Sequence, residues 1–169
     1  CSSDLGAGGA VGVARVTKAT PDGYTLLFSG NGALTIAPSV PPKTPYDPVR
    51  DLAPIAQLLV VPSILAVNND LPARNVQELV ALAKAQPGKL AYATPGAATP
   101  QHVAGELLKT LAGINLTHVP YRGAILTDVI GGRVHATFQN AAAILPMISD
   151  GRVRAIASTA LKRSPLMPD

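Results

Sequence analysis

Short apolar runs and helix-period stripes take turns along this chain. Residues 13–19 read as a short helix after a glycine-rich start, and Pro21-Asp22-Gly23 is a strong turn signal. Residues 24–28 (Tyr-Thr-Leu-Leu-Phe) then predict a buried strand, ended by Ser29-Gly30-Asn31-Gly32. A proline-rich loop over 38–48 follows, and 55–61 and 64–67 are β-branched runs that predict two strands meeting at Pro62. Asn75 with Glu78 three residues on has the form of a capping box, opening a helix that Pro87-Gly88 stops. Strand 90–94 leads into a helix with Thr99 as cap and Pro100 at its first position, where a missing N–H costs nothing. On that helix Val103, Leu107 and Leu111 share one face, with Ala104 and Leu108 beside them, and Gly113 ends it.

Strands are predicted over 116–120, 134–138 and 153–159, with helices over 126–130 and 141–148 between them. Gly132-Arg133-Val134 and Gly151-Arg152-Val153 repeat one punctuation, a glycine leaving a helix just before a strand. Helix and strand alternate from Asn75 onward, so the expected fold class is α/β with a largely parallel sheet.

Composition narrows what such a fold does. The 169 residues are 47% hydrophobic and 14% charged, with 16 Pro and 15 Gly, which excludes a disordered tail. No apolar run reaches the roughly 18–20 residues that span a bilayer, so no direct membrane insertion is expected. The net charge of +4 comes from scattered Lys and Arg, and aromatics are 4% with no Trp, so nucleic acid is not an expected partner. Cys1 is the sole cysteine, which excludes an internal disulfide and a cysteine-held metal. Residues 1–5 match nothing that follows and are expected to be a non-native extension; an ordinary frayed terminus is the other reading.

Enzymatic tools are missing from the pattern. Gly6-x-Gly8 with Gly12 looks like a phosphate loop, but no credible strand precedes it and no acid ends the next one. There is no Gly-x-Ser-x-Gly elbow, and His102, His118 and His135 fall on different elements without metal-ligand spacing. His118 and His135 lie in strand patterns and read as structural. No catalytic residue, metal or cofactor is therefore expected. What the chain does repeat is a strand end followed by small and hydroxyl residues: Ser29 to Gly32, Thr94 to His102, Tyr121-Arg122-Gly123 and Gln139-Asn140. In open α/β sheets ligands bind beyond the carboxyl ends of strands, and helix-opening N–H groups attract anions. Plain capping accounts for Thr99 and Pro100 by themselves; four such loops together favour a small-anion site.

These same segments carry a resemblance. Gly6-Ala7-Gly8-Gly9, Pro21-Asp22-Gly23-Tyr24-Thr25-Leu26-Leu27, Pro45-Tyr46-Asp47-Pro48 and Pro87-Gly88-Lys89-Leu90 occur in that order. Gln101-His102-x-Ala104-Gly105-Glu106, His118-Val119-Pro120-Tyr121-Arg122-Gly123 and Lys162-Arg163-Ser164-Pro165 follow. Together they closely resemble the Bug-type periplasmic receptors of tripartite tricarboxylate transporters. The resemblance implies a type II periplasmic-binding-protein-like fold: two α/β domains with hinge strands, closing around a small carboxylate that membrane transporter subunits then accept.

By this mapping residues 6–67 are part of a first domain, 68–158 a second, and 159–169 a truncated return to the first. The family's opening strand with its ligand-facing loop, and the segment completing the first domain, are expected to be missing. Carried over residue by residue, ligand contacts fall on Ser29, Asn31, Ala97, Ala98, Thr99, His102, Tyr121, Gly123 and Gln139. Gln139 stands where relatives often have Asp, so a plain carboxylate is expected over an amino acid. The 122–127 loop is a couple of residues shorter than the family pattern, which puts the geometry around Tyr121 and Gly123 in question. A sensory receptor feeding a signalling partner is the alternative in the same fold, and a nucleotide-dependent enzyme using the Gly6 loop is the other class.

Overall fold

The computed structural model describes residues 6–162 apart from Arg122. By contacts the chain divides into two units, Cys1–Leu58 with Gly96–Pro100, and Leu59–Pro95 with Gln101–Asp169.

In the first unit a 3-10 turn, Gly6–Gly9, leads into helix α1, Ala10–Val16. Gly9 enters it at φ 96°, a left-handed value that suits glycine. A short π-helical segment, Gly32–Ile36, follows, and α2 spans Pro48–Asp51 with Asp47 capping the amides of Val49 and Arg50. The core is small: Val13, Ala33 and Tyr46 are buried, and the Tyr46 hydroxyl donates to the Ala33 carbonyl at 2.7 Å.

Two expected strands do not form. Residues 24–28 and 55–61 pair with no other strand among the described residues, and apart from Leu27, which packs on the small core, their side chains lie open: Tyr24 is 92% and Val60 79% exposed. Strand propensity describes a fit to a half-buried pleated surface, and without a ladder neighbour it has nothing to act on.

The second unit holds one five-stranded sheet: β1 Ser63–Val67, β2 Ala91–Thr94, β3 Thr117–Pro120, β4 Ala136–Asn140 and β5 Arg154–Ser158. Their order is β3-β2-β4-β1-β5. β2 pairs in parallel with β3 and β4, whereas β1 pairs antiparallel with β4 and β5. The largely parallel sheet expected from the alternation after Asn75 holds for β2, β3, β4 and β5, which run one way, and β1, before Asn75, runs against them. All five β1 residues are buried, as a strand covered on both faces requires.

Helices α3 Val76–Ala85, α4 Pro100–Ala112, α5 Ile125–Ile130 and α6 Ala141–Ser149 complete the unit. Leu65, Val67, Tyr92 and Phe138 meet Leu79 and Ala83 of α3 and Leu108 of α4 in one core. Ile64, Ala66 and Ala93 meet Ile125, Val129 and Ile144 of α5 and α6 in the other. The fold class is mixed α/β with an open sheet. Asn75 caps α3 as its spacing predicts, its side-chain oxygen accepting from the Glu78 amide at 2.8 Å, while Glu78 reaches back to the Arg74 amide at 2.7 Å. Among the described residues no helix is long and apolar enough to cross a membrane.

Candidate functional site

The sheet brings one set of polar groups to one rim. Because β1 is reversed, its first residue, Ser63, stands at the same end as the last residues of β2, β3, β4 and β5. Thr94 ends β2, fully buried, and its carbonyl accepts from the Tyr121 amide at 2.9 Å. Asn140 ends β4, and its side-chain oxygen accepts from Gln101 Nε2 at 2.6 Å. Gln101, itself buried, therefore ties the first turn of α4 to the carboxyl end of β4.

Of the residues expected to touch a ligand in this unit, Tyr121 and Gln139 lie on the α5–α6 face and His102 on the other. Gln139 is paired across the ladder with Ile64 and is 7% exposed. Tyr121 packs with that same core, and its hydroxyl donates to Asp128 Oδ2 at 2.7 Å. Arg133 donates to the other Asp128 oxygen at 2.9 Å. These two donors hold the Asp128 carboxyl below its usual range, the Tyr121 bond first, and the same bond pushes the Tyr121 phenol upward. The Tyr121 proton is thus committed, leaving its oxygen to accept. Gly123 is exposed, with no atom within 4 Å of where a side chain would start. Arg122, between them, lies outside the described residues. His102 stacks on His118 at 4.1 Å.

In the first unit Ala97, Ala98 and Thr99 lie beside the glycine turns. A Cβ on Gly8 would be 3.5 Å from Thr99 Cγ2, and one on Gly32 would be 3.2 Å from Pro100 Cδ and 3.5 Å from the Ala98 carbonyl oxygen. Asn31 is exposed and immediately precedes this close approach; Ser29 is half-buried two residues before it. Thr99 is buried and its hydroxyl donates to the Gly96 carbonyl at 2.8 Å. Ala98 is held at φ 56° and Gly96 at φ 143°. A non-glycine residue at that φ is strained, and such residues gather at ligand clamps.

Sequence reasoning does not single out Gln101 and Thr94, although Thr94's place at a strand end is an available signal. His135, read as structural, is so placed: its Nδ1 accepts from the Ala91 amide at 3.1 Å. Among the described residues no cluster of three or more His, Cys, Asp or Glu could hold a metal.

Residues 3–169 match the family described as the tripartite tricarboxylate transporter family receptor. The chain belongs to that family. It is 39% identical over 166 residues to a UPF0065 protein of Bordetella bronchiseptica, covering 97% of this chain and 49% of that relative. Two solved structures are similar to it: R. palustris Rpa4515 with adipate (TM-score 0.87, 34% identity) and MatC (Rpa3494) from Rhodopseudomonas palustris with bound malate (TM-score 0.84, 28% identity). The alignments cover 92% and 95% of this chain but 52% and 55% of those chains. The chain therefore spans about half the length of the relatives it matches.

Proposed function

We propose that the protein is a periplasmic solute receptor that captures a small organic carboxylate and presents it to membrane transporter subunits. The observation carrying this reading is the family match over residues 3–169, supported by two similar receptors bound to adipate and to malate. Chemistry agrees with it. A carboxylate needs N–H and O–H donors without a competing acid, and the opening amides of a helix supply them together with a favourable dipole. The 13-residue α4 opens at the rim, behind a loop of small residues that lets an anion approach the backbone.

The ligand groups in this reading are Ser29, Asn31, Ala97, Ala98 and Thr99 in the first unit, and His102, Tyr121, Gly123 and Gln139 in the second, with the Tyr121 hydroxyl serving a carboxylate only by giving up its bond to Asp128 or through a bridging water. The organisation proposed with it has residues 6–67 in one lobe and 68–158 in another, so Ala97, Ala98 and Thr99, grouped with the first unit by contacts, belong to the second lobe by chain. Gln139 offers amide hydrogens where an acid would repel the anion, which favours a plain carboxylate over an amino acid.

Isothermal titration calorimetry of the full-length protein with adipate, malate and glutamate tests this. Saturable one-to-one binding of a dicarboxylate is expected, with Gln139→Asp lowering its affinity by roughly tenfold or more, equivalent to about 1.4 kcal/mol. Absence of any carboxylate heat together with saturable NAD or ATP binding would overturn the receptor reading in favour of a nucleotide-dependent enzyme.

A further inference from the structure

The face of the sheet turned away from Tyr121 and Gln139 carries a chain of titratable groups that ends at the rim. Helix α4 sets His102, Glu106 and Lys109 at i, i+4 and i+7, on one side of the helix. Glu106 accepts from the Tyr92 hydroxyl at 2.7 Å and from Lys109 at 2.9 Å through both oxygens, and His102 Nε2 lies 3.8 Å from Glu106 Oε1. The His102 and His118 rings stack at 4.1 Å with 20° between their planes, and His118 lies 5.0 Å from the Tyr92 ring. Nε2 of His118 is 2.7 Å from the hydroxyl of Thr94. Thr94 is the fully buried residue from which the chain leaves β2 for the strained stretch containing Gly96 and Ala98.

We infer that neutral His118 accepts the Thr94 hydroxyl hydrogen at Nε2 and so acts as a proton-responsive positioning residue for the 95–99 loop, with the stacked His102 opposing a charge on it. A charge on the His102 ring, stacked at 4.1 Å, repels one on His118. The groups facing His118 are Tyr92 and Thr94 of β2 and His102, Glu106 and Lys109 of α4. Of these Glu106 favours the charged ring, whereas His102 and Lys109 oppose it. Burial adds to that opposition as the largest single cause, and His118 is held below the ordinary histidine range. When His118 takes a proton from solvent, both ring nitrogens become donors. The Thr94 oxygen must then accept from Nε2 and turn its own hydrogen elsewhere, at the root of the loop. This device needs no ligand; only its extension to ligand affinity rests on the carboxylate reading.

Long-range 1H–15N correlation and backbone amide spectra of the chain, recorded between pH 8 and pH 4 without ligand, test it. Expected are an unprotonated Nε2 on neutral His118, a His118 midpoint below that of an exposed histidine, and Thr94 and Gly96 amide shifts that follow that midpoint. His102→Gln raises the His118 midpoint. His118→Gln keeps a hydrogen-bonding group near Thr94 and flattens the Thr94 and Gly96 response, with an unchanged circular dichroism spectrum. A protonated Nε2 at neutral pH, a His118 midpoint that His102→Gln does not move, or a Thr94 response that survives in folded His118→Gln would each overturn the inference.

Discussion

Gly105 stands in the interior of α4, where alanine is the better helix former by about 0.8–1.0 kcal/mol, so on propensity alone Gly105→Ala stabilises the protein. The packing says the reverse. A Cβ at that position falls 2.2 Å from Tyr92 Cε2, 2.5 Å from Cζ and 2.8 Å from Oη. Carbon atoms pack at roughly 3.5–4.0 Å, so the ring must retreat by well over an ångström. It has no room: Tyr92 is fully buried, 5.0 Å from the His118 ring and edge-on to Phe138 at 6.3 Å. Overpacking of this kind costs about 1–3 kcal/mol. Displacing the phenol also strains its bond to Glu106, worth about 1 kcal/mol for a half-exposed acceptor. The clash wins by about 1–3 kcal/mol, a fall in Tm on the order of 5–15 °C for a unit of this size.

Urea unfolding followed by far-UV circular dichroism reads this directly. The diagnostic arm is a double-mutant cycle. In a Tyr92→Leu background the obstructing ring atoms are gone, so Gly105→Ala becomes neutral or stabilising. Tyr92→Phe gives no such relief, because Cε2 and Cζ, the nearest atoms, remain. Wild-type-like stability of the single Gly105→Ala variant, or an equal cost in the Tyr92→Leu background, refutes the reasoning.

Two further outcomes follow from the same unit. Acid destabilises it in two stages: His118 is held below its unfolded value, so its contribution is intact above about pH 6.5 and is lost as pH falls through its folded midpoint. At Glu106 burial pushes upward, but bonds from Lys109 and Tyr92 outweigh it, so a second contribution is lost as pH falls through its lowered folded value. Tm against pH checks this, and a slope between pH 7 and pH 5 that His118→Gln leaves unchanged would remove His118 from the account. Asn68→Ala costs about 2–4 kcal/mol in the same unfolding assay. Its buried amide donates to the Val129 and Ile130 carbonyls at 2.8 and 3.0 Å and accepts from the Asp70 amide at 2.8 Å, so truncation strands the end of α5. A loss under about 0.5 kcal/mol, the size expected of an ordinary surface site, counts against that role.

Sequence reasoning succeeds where the physics is local. The Asn75–Glu78 cap, the stop at Gly113 (φ 61°) and the matching glycines Gly132 (φ 72°) and Gly151 (φ 65°) need only their near neighbours. It fails where the deciding partner is remote. β1 is apolar throughout, and nothing within Ser63–Val67 says that it runs against β4, a strand far along the chain. The stripe of Val103, Leu107 and Leu111 on α4 is exposed, and the helix instead buries Gln101 and Gly105. That inversion follows from Tyr92: its ring occupies the space a side chain at 105 would fill, and no pattern within α4 encodes it.

The site divides along the same line. Glycine- and hydroxyl-rich strand ends are legible because such residues are unusual in a sheet unless the backbone must turn or approach something closely. The conformations that distinguish these loops from ordinary connections are not. Ala98 and Ala124 both adopt left-handed backbone, φ 56° and 52°, in the loops that follow β2 and β3. Alanine gains nothing locally from that geometry and gives up on the order of 1 kcal/mol relative to its usual basins. Residue type therefore gives no sign of that geometry, and only surroundings that over-determine the backbone keep both residues where they are. Thr94, the last residue of β2, is joined to His118 and to the Tyr121 amide, and so couples the carboxyl ends of two neighbouring parallel strands through a single residue.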